Sequence, residues 1–262
     1  MEHRNQIIKG FIFDLDGTLW MSGQLIEGAQ ATINGLRKLG KKVVFLTNNS
    51  DGTREMFAHQ LSNIGIPASK DEIVSSSYVM AQYLLMQSPG SRCFVIGPDP
   101  LREELCRHGF VLRDRPEEID YVVLGIDRDF TYKKLQIAFE AIRAGAQFVA
   151  TNPDPYSPAE NGDLADIGAL IAAIEVSTQH TVDMIVGKPN PFIVNKAIEC
   201  LGFQKENCLM VGDQLLTDVF AANRTEVLVA LLMRDPLVKV QLIESEIKPD
   251  YCIDKLTDLL YF

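Results

Sequence analysis

Residues 11–20 read FIFDLDGTLW, and the fold is decided by how this stretch is understood. Phe11, Ile12 and Phe13 are strand-forming residues, and the run stops at two carboxylates one residue apart, Asp14 and Asp16, followed by Gly17 and Thr18. Carboxylates at a strand end repel each other unless a cation, a hydrogen-bond network or a shared proton offsets the repulsion. The stretch therefore predicts a strand ending in a charged site with a compensating partner.

Outward from this strand the chain alternates β-rich runs with segments of helical period. FIFDL is followed by the helix-like ATINGLRKLG at 31 and by KVVFLT at 42, the rhythm of a parallel βαβ sheet. A helix is predicted from Thr53 to Ile64, then the strand IVSSS at 73 and the helix YVMAQYLLMQ, after which Ser88, Pro89 and Gly90 punctuate the chain. A second series follows: strands CFVIG at 93, YVVLGI at 121 and QFVAT at 147, with helices LREELCRHG, KKLQIAFEAIRAG and IGALIAAIEVST. The chain then reaches MIVGKPNP, a helix capped by Asn190 with Pro191 at its first position and Gly202 at its stop, and strands CLMVGD, VLVALLM and YCIDKL. The expected architecture is α/β: a Rossmann-like, doubly wound parallel core with a smaller α/β cap domain inserted into it. The expected boundaries are 1–87 for the first part of the core, 88–182 for the insertion and 183–262 for the second part.

Composition narrows the function. The 262 residues carry 25 Lys and Arg against 35 Asp and Glu, a net charge of −10 that argues against a nucleic-acid partner. The five cysteines form no CxxC pair and the four histidines are scattered, so zinc is not expected. Most of the cysteines sit in apolar contexts and read as buried thiols of a reducing compartment. The amino terminus lacks an apolar core and no apolar run is long enough for a bilayer. A cytoplasmic location and no membrane partner are expected.

In open α/β sheets the ligand lies beyond the carboxyl ends of the strands. Four strand ends carry chemistry: Asp14 and Asp16; Thr47 with Asn48, Asn49 and Ser50; Lys188 after MIVG; and Asp213 with Asp218 after CLMVG. Taken singly, Thr47 reads as a capping hydroxyl, Asp218 as a helix-start acid and Lys188 as solvated surface. Taken together, DLDGT, FLTNNS, the lone lysine of VGKPNP and GDQLLTD resemble the four ordered motifs of the haloacid dehalogenase superfamily. TNNS, ATNPD at 150–154 and VGKPNP resemble its NagD-like and p-nitrophenyl-phosphatase-like branch, whose cap is inserted between the second and third motifs.

The resemblance implies a phosphatase. Asp14 is the expected nucleophile, forming an acyl phosphate that divides one displacement into two. Asp16 is the expected acid and base, protonating the departing oxygen and then deprotonating water. Dehalogenating members lack this second acid, so its presence favours phosphoryl chemistry. Gly17 allows the backbone close to phosphate, Thr18 shapes the turn, and Thr47, Asn48 and Lys188 hold the phosphoryl group. The hard carboxylate oxygens suit Mg²⁺, with Asp14, the Asp16 carbonyl and Asp213 as ligands and Asp218 acting through water or the surrounding shell.

The LWMSGQLI stretch reads as a hairpin with Ser22 and Gly23 at its turn, leaving the large cap to come later. By resemblance the cap closes over the aspartates and contacts the rest of the substrate. Its expected specificity loops are 127–132 and 152–162, with Asp127, Tyr132, Asn152 and Asp154 as candidate contacts, although the second loop also reads as a tight connection. Two departures from the branch stand out. Ala165 and Asp166 replace a usual Pro-Gly, and AANRTEV lacks the usual glycines, leaving Asn223 to supply a helix stop. The expected partner is a small phosphorylated metabolite: a sugar phosphate, phosphoglycolate, a nucleoside monophosphate or pyridoxal phosphate. Cap-mediated homodimers occur in similar proteins. A non-catalytic phospholigand sensor would lack Asp14 or Asp16, and a receiver-like phosphoacceptor would be labelled without turnover.

Overall fold

The FIFD run forms β1 (Gly10–Asp14), buried along its whole length, in a computed structural model that describes residues 7–21, 23–157 and 162–262. The expected hairpin follows as β2 (Trp20–Met21) and β3 (Gln24–Leu25), paired antiparallel; Ser22, named for its turn, lies outside the described residues. Then come α1 (Ala29–Lys38), β4 (Lys42–Thr47), α2 (Arg54–Asn63), β5 (Ile73–Ser75) and α3 (Ser76–Gln87). The second series supplies β6 (Arg92–Ile96), α4 (Asp99–Arg107), β7 (Val111–Leu112), β8 (Tyr121–Leu124), α5 (Tyr132–Arg143) and β9 (Gln147–Ala150). It ends with β10 (Tyr156–Ser157), β11 (Leu164–Ala165), α6 (Ile167–Thr178) and β12 (Met184–Ile185). The last part of the chain forms α7 (Pro191–Leu201), β13 (Cys208–Gly212), α8 (Phe220–Thr225), β14 (Leu228–Leu232), α9 (Pro236–Glu244) and β15 (Tyr251–Ile253).

Two sheets organise the described residues. One has six strands in the order β15-β14-β13-β1-β4-β5, with β1 parallel to both β13 and β4. The other has five, β12-β9-β8-β6-β7, and every pairing in it is parallel. Parallel strands covered on both faces need apolar side chains on both, which explains the unalternating FIF, VVFL and LMV runs. Phe11, Phe13, Phe45, Leu209 and Val211 belong to the first core, packed with Ile33 and Leu36 of α1. Phe94, Val122, Phe148 and Ile171 belong to the second. Burying each large side chain is worth about 1.5–3 kcal/mol, so each sheet has its own source of stability.

The chain divides into two units. The first runs to Thr47 and resumes over Arg54–Val74 and Lys188–Phe262; the second comprises Asn48–Thr53 and Ser75–Gly187. The inserted module thus begins at α3 rather than at residue 88 and ends at Gly187 rather than at 182. The reason for the later end is β12: MIVG, read from sequence with the core strands, pairs with β9 and so extends the second sheet. The helix predictions fare well where an apolar stripe is clear. α7 has Asn190 as N-cap, its side chain accepting from the Phe192 N–H, and Gly202 in the left-handed conformation at its end.

Two further expectations are corrected. Only Cys93 and Cys208 are buried, because Cys106 and Cys200 face outward on α4 and α7 and Cys252 lies on an edge strand. The left-handed stop of α8 is Glu226, with φ 57°, while Asn223 lies within the helix and donates to the Lys248 carbonyl. No helix among the described residues is long and apolar enough to cross a membrane.

Candidate active site

Register brings the first acids together. Phe13 sits opposite Val211 in the β1–β13 pair, so Asp14 at the end of β1 and Asp213 just past β13 emerge together at the carboxyl ends of two central strands. Asp218 follows on a tight five-residue turn of π type, Leu215–Val219, that folds it back onto the strand end. A Cβ on Gly212 would lie 2.3 Å from the Asp218 carboxyl carbon, so only glycine lets the turn pack this closely. Gly17 is held at φ +89°, and a Cβ there would lie 2.3 Å from Asp213 Oδ2. The glycine of DLDGT therefore makes room for an acid contributed from the far end of the chain.

Lys188 is the cation of the cluster. Its ammonium donates to Asp14 Oδ1 and, over 2.7 Å, to Asp218 Oδ1. The three side chains are almost fully enclosed, with Asp14, Lys188 and Asp218 only 5%, 4% and 1% exposed. The Thr18 hydroxyl lies 3.3 Å from Asp14 Oδ2 and 3.1 Å from Asp213 Oδ1, bridging the two acids. The compensation that the opening stretch required is thus partly a lysine and partly a hydroxyl.

It is not complete. Three carboxylates face one ammonium, and two like charges about 4 Å apart repel by about 4 kcal/mol at an effective dielectric near 20. Burial pushes the Asp14 carboxyl well above the usual range, with Lys188 opposing and Asp218 and Asp213 reinforcing the rise. Asp213 is raised to about 7, first by burial and then by the Asp218 charge. Burial alone would lower Lys188, but the charges of Asp14 and Asp218 outweigh it and raise its pKa. Asp14, Asp213 and Asp218 each offer an oxygen, and these oxygens lie within 4.8 Å of one another. A net negative, oxygen-only cluster of this size fits a hard divalent cation such as Mg²⁺.

Residues 11–111 match the haloacid dehalogenase-like hydrolase family and residues 185–259 the related HAD-hydrolase-like family. The chain is 33% identical over 252 residues to an acid sugar phosphatase of Staphylococcus saprophyticus, covering 96% of each protein. The chain belongs to the haloacid dehalogenase-like hydrolase family. Within it, this HAD protein is a phosphatase of the NagD-like, p-nitrophenyl-phosphatase-like branch. A 4-nitrophenylphosphatase from Thermotoga maritima superposes with a TM-score of 0.91 at 34% identity, over 97% of both chains. A glycerol phosphate phosphatase from Mycobacterium tuberculosis, crystallised in complex with magnesium, gives 0.88 at 30% identity, over 96% of this chain and 77% of its own.

The remaining residues of the HAD phosphatase singled out from sequence fall into two groups. Asp16 is exposed and outside the acidic cluster; its Oδ1 accepts from Trp20 Nε1 at 2.8 Å. Thr47 is buried at the end of β4, and Asn48 begins the segment that groups with the second unit. Asp127 is a loop builder: Lys134 Nζ donates to both its oxygens, at 3.0 and 2.7 Å, and the Asp129 N–H donates to Oδ1. Tyr132 is largely exposed at the start of α5. Asn152 is buried and donates to Asp154, and residues 158–161 of that loop lie outside the described residues. Ala165 closes β11 and Asp166 caps α6, accepting from the Ile167 N–H.

Sequence reasoning missed Arg234, whose Nη1 donates to the Gly17 carbonyl at 3.1 Å, and the bridging position of Thr18. Trp20 as a partner of Asp16 was also missed. The i,i+4 spacings of Thr18 to Asp14 and Trp20 to Asp16 are the one local signal that could have found two of them.

Proposed function

We propose that this HAD phosphatase is Mg²⁺-dependent and hydrolyses small phosphomonoesters, sugar phosphates among them, through an aspartyl-phosphate on Asp14. The observation that carries the reading is the enclosed Asp14–Lys188–Asp218 arrangement with Asp213 alongside, a nucleophile beside a fixed cation and an excess of carboxylates suited to a metal. Lys188 favours the ionised form of Asp14 against its burial and orients the carboxylate, and Thr18 steadies the second oxygen. Asp14 attacks phosphorus and the bond to the leaving oxygen breaks as Asp16 gives that oxygen a proton. Asp16 then takes a proton from water, the water oxygen attacks phosphorus, and orthophosphate leaves as Asp14 is regenerated. Asp14, Asp213 and Asp218 would hold the Mg²⁺, with the Asp16 carbonyl as the expected backbone ligand. When bound, the ion supplies positive charge where the phosphoryl oxygens gather negative charge.

Thr47 and Asn48, together with Lys188, are the proposed phosphate holders. The relatives' names support the substrate class, since those proteins are called acid sugar, 4-nitrophenyl and glycerol phosphate phosphatases. The test is a panel of phosphomonoesters assayed for kcat/KM with and without Mg²⁺, with Asp14→Asn as control. Turnover that depends on the metal and vanishes in Asp14→Asn is the expected result, with acid quench of a labelled substrate trapping phosphate on the wild-type protein only. Equal rates in all samples would overturn the reading.

A further inference from the structure

The segment that follows β4 is fastened by bonds within the second unit. Asn48 Nδ2 donates to Asp154 Oδ2 at 3.0 Å, and the Ser76 hydroxyl donates to the Asn48 carbonyl at 2.6 Å. Ser77 donates to the Ser50 carbonyl, the Ile126 N–H to the Ser50 hydroxyl, and Arg128 to Asp51 at 2.5 Å. Asp154 has a second donor on the same oxygen, Asn152 Nδ2 at 2.8 Å, and Asn152 is itself buried with its Oδ1 accepting from the Thr151 hydroxyl. A carboxylate with two amide donors on one oxygen is a charge-assisted clamp, stronger than a neutral pair. Offered directly to a phosphate dianion, the same carboxylate would repel it. Its engagement with the two amides resolves that conflict.

We propose that Asp154 is a positioning residue of the phosphatase. Through the Asn48 amide it sets the backbone at residue 48, and so the affinity for phosphate, by a side chain that does not itself contact the substrate. The inference rests on the proposed role of Asn48 in holding phosphate and adds to it the residue that fixes Asn48.

Steady-state kinetics with p-nitrophenyl phosphate and Mg²⁺, and with orthophosphate as competitive inhibitor, test it on the wild type, Asp154→Ala, Asp154→Asn, Asn48→Ala and the double variant. Asp154→Ala is expected to raise KM and the orthophosphate inhibition constant together by about ten- to hundredfold, the size of one lost hydrogen bond to a charged group. A loss of uniform binding leaves kcat within about twofold. Asp154→Asn keeps an acceptor oxygen but not the charge and falls between the wild type and Asp154→Ala, and the double variant is no weaker than Asn48→Ala alone because the two side chains act as one. Thermal melts confirm that each variant is folded, and Asp154→Ser, too short to reach Asn48, replaces Asp154→Ala if the latter does not fold. A folded Asp154→Ala or Asp154→Ser that binds orthophosphate as wild type does, or penalties that add in the double variant, overturns the inference and leaves the phosphatase reading intact. A wild type that fails to hydrolyse p-nitrophenyl phosphate overturns the phosphatase reading itself.

Discussion

Asp14 and Lys188 depend on each other. With Lys188 replaced by Met, Asp14 and Asp218 lose their shared ammonium, and kcat on p-nitrophenyl phosphate is expected to fall by at least about a thousandfold, as for residues that act as a unit. Thr18→Val keeps the side-chain shape and removes the hydroxyl between Asp14 and Asp213; steady-state assay should show kcat/KM lowered by about tenfold, the worth of a hydrogen bond to a charged group. The pH response of the metal-free protein follows from Asp213. Its carboxyl titrates at about 7 when folded against 3.8 ordinarily, so the folded state holds a proton that the unfolded chain has released. That contribution to stability is fully present below about pH 4 and is lost as the pH rises through about 7. Thermal melts in chelator should fall over that window, and Asp213→Asn should flatten the fall. DLDGT and GDQLLTD made these acids legible because each sits next to an apolar strand. Arg234 was not legible, since nothing local distinguishes an arginine that meets the Gly17 carbonyl from one in solvent.

The tight turn Leu215–Val219 has one tolerance, set by Gly212. Gly212→Ala places a methyl 2.3 Å from the Asp218 carboxyl carbon, so the acid must move away from Lys188; activity should drop at least about tenfold even where circular dichroism shows the sheet retained. The loop between β8 and α5 is expected to respond differently. Asp127→Ala removes the acceptor of Lys134 and should cost about 1–3 kcal/mol in urea unfolding, with kcat on p-nitrophenyl phosphate changed less than about twofold. Elements with a single strong period were readable: α7 and α5 fall where an apolar stripe and a cap coincide. α9 was not, because Leu237, Val240 and Ile243 remain exposed and only Val238 is buried, so its sequence carries no stripe. β12 was read as a strand but assigned to the wrong sheet. Two β-friendly residues reveal an extended backbone, while the neighbour they choose depends on β9, far away in the sequence.

At the scale of the whole molecule, the acidic cluster links folding stability to the cation. Chelation should abolish turnover, and restoring Mg²⁺ should raise Tm more at pH 7.5 than at pH 5, where protons already relieve the repulsion among Asp14, Asp213 and Asp218. Differential scanning fluorimetry across pH and metal concentration measures both. The α/β class and the presence of an insertion followed from the alternation of runs; its edges did not, since Asn48–Thr53 joins the second unit through hydrogen bonds that no composition shift announces. The position of β1 in the larger sheet has a temporal consequence. Gly10 pairs with Lys42 on one side but with Cys208 on the other. On a translating ribosome, one flank of this strand must wait until most of the polypeptide has been made, while the five-stranded sheet between has every strand it needs sooner. A nascent chain halted after β12 would carry Asp14 and lack Lys188, Asp213 and Asp218, so the acidic cluster and its lysine assemble only in the final stage of synthesis.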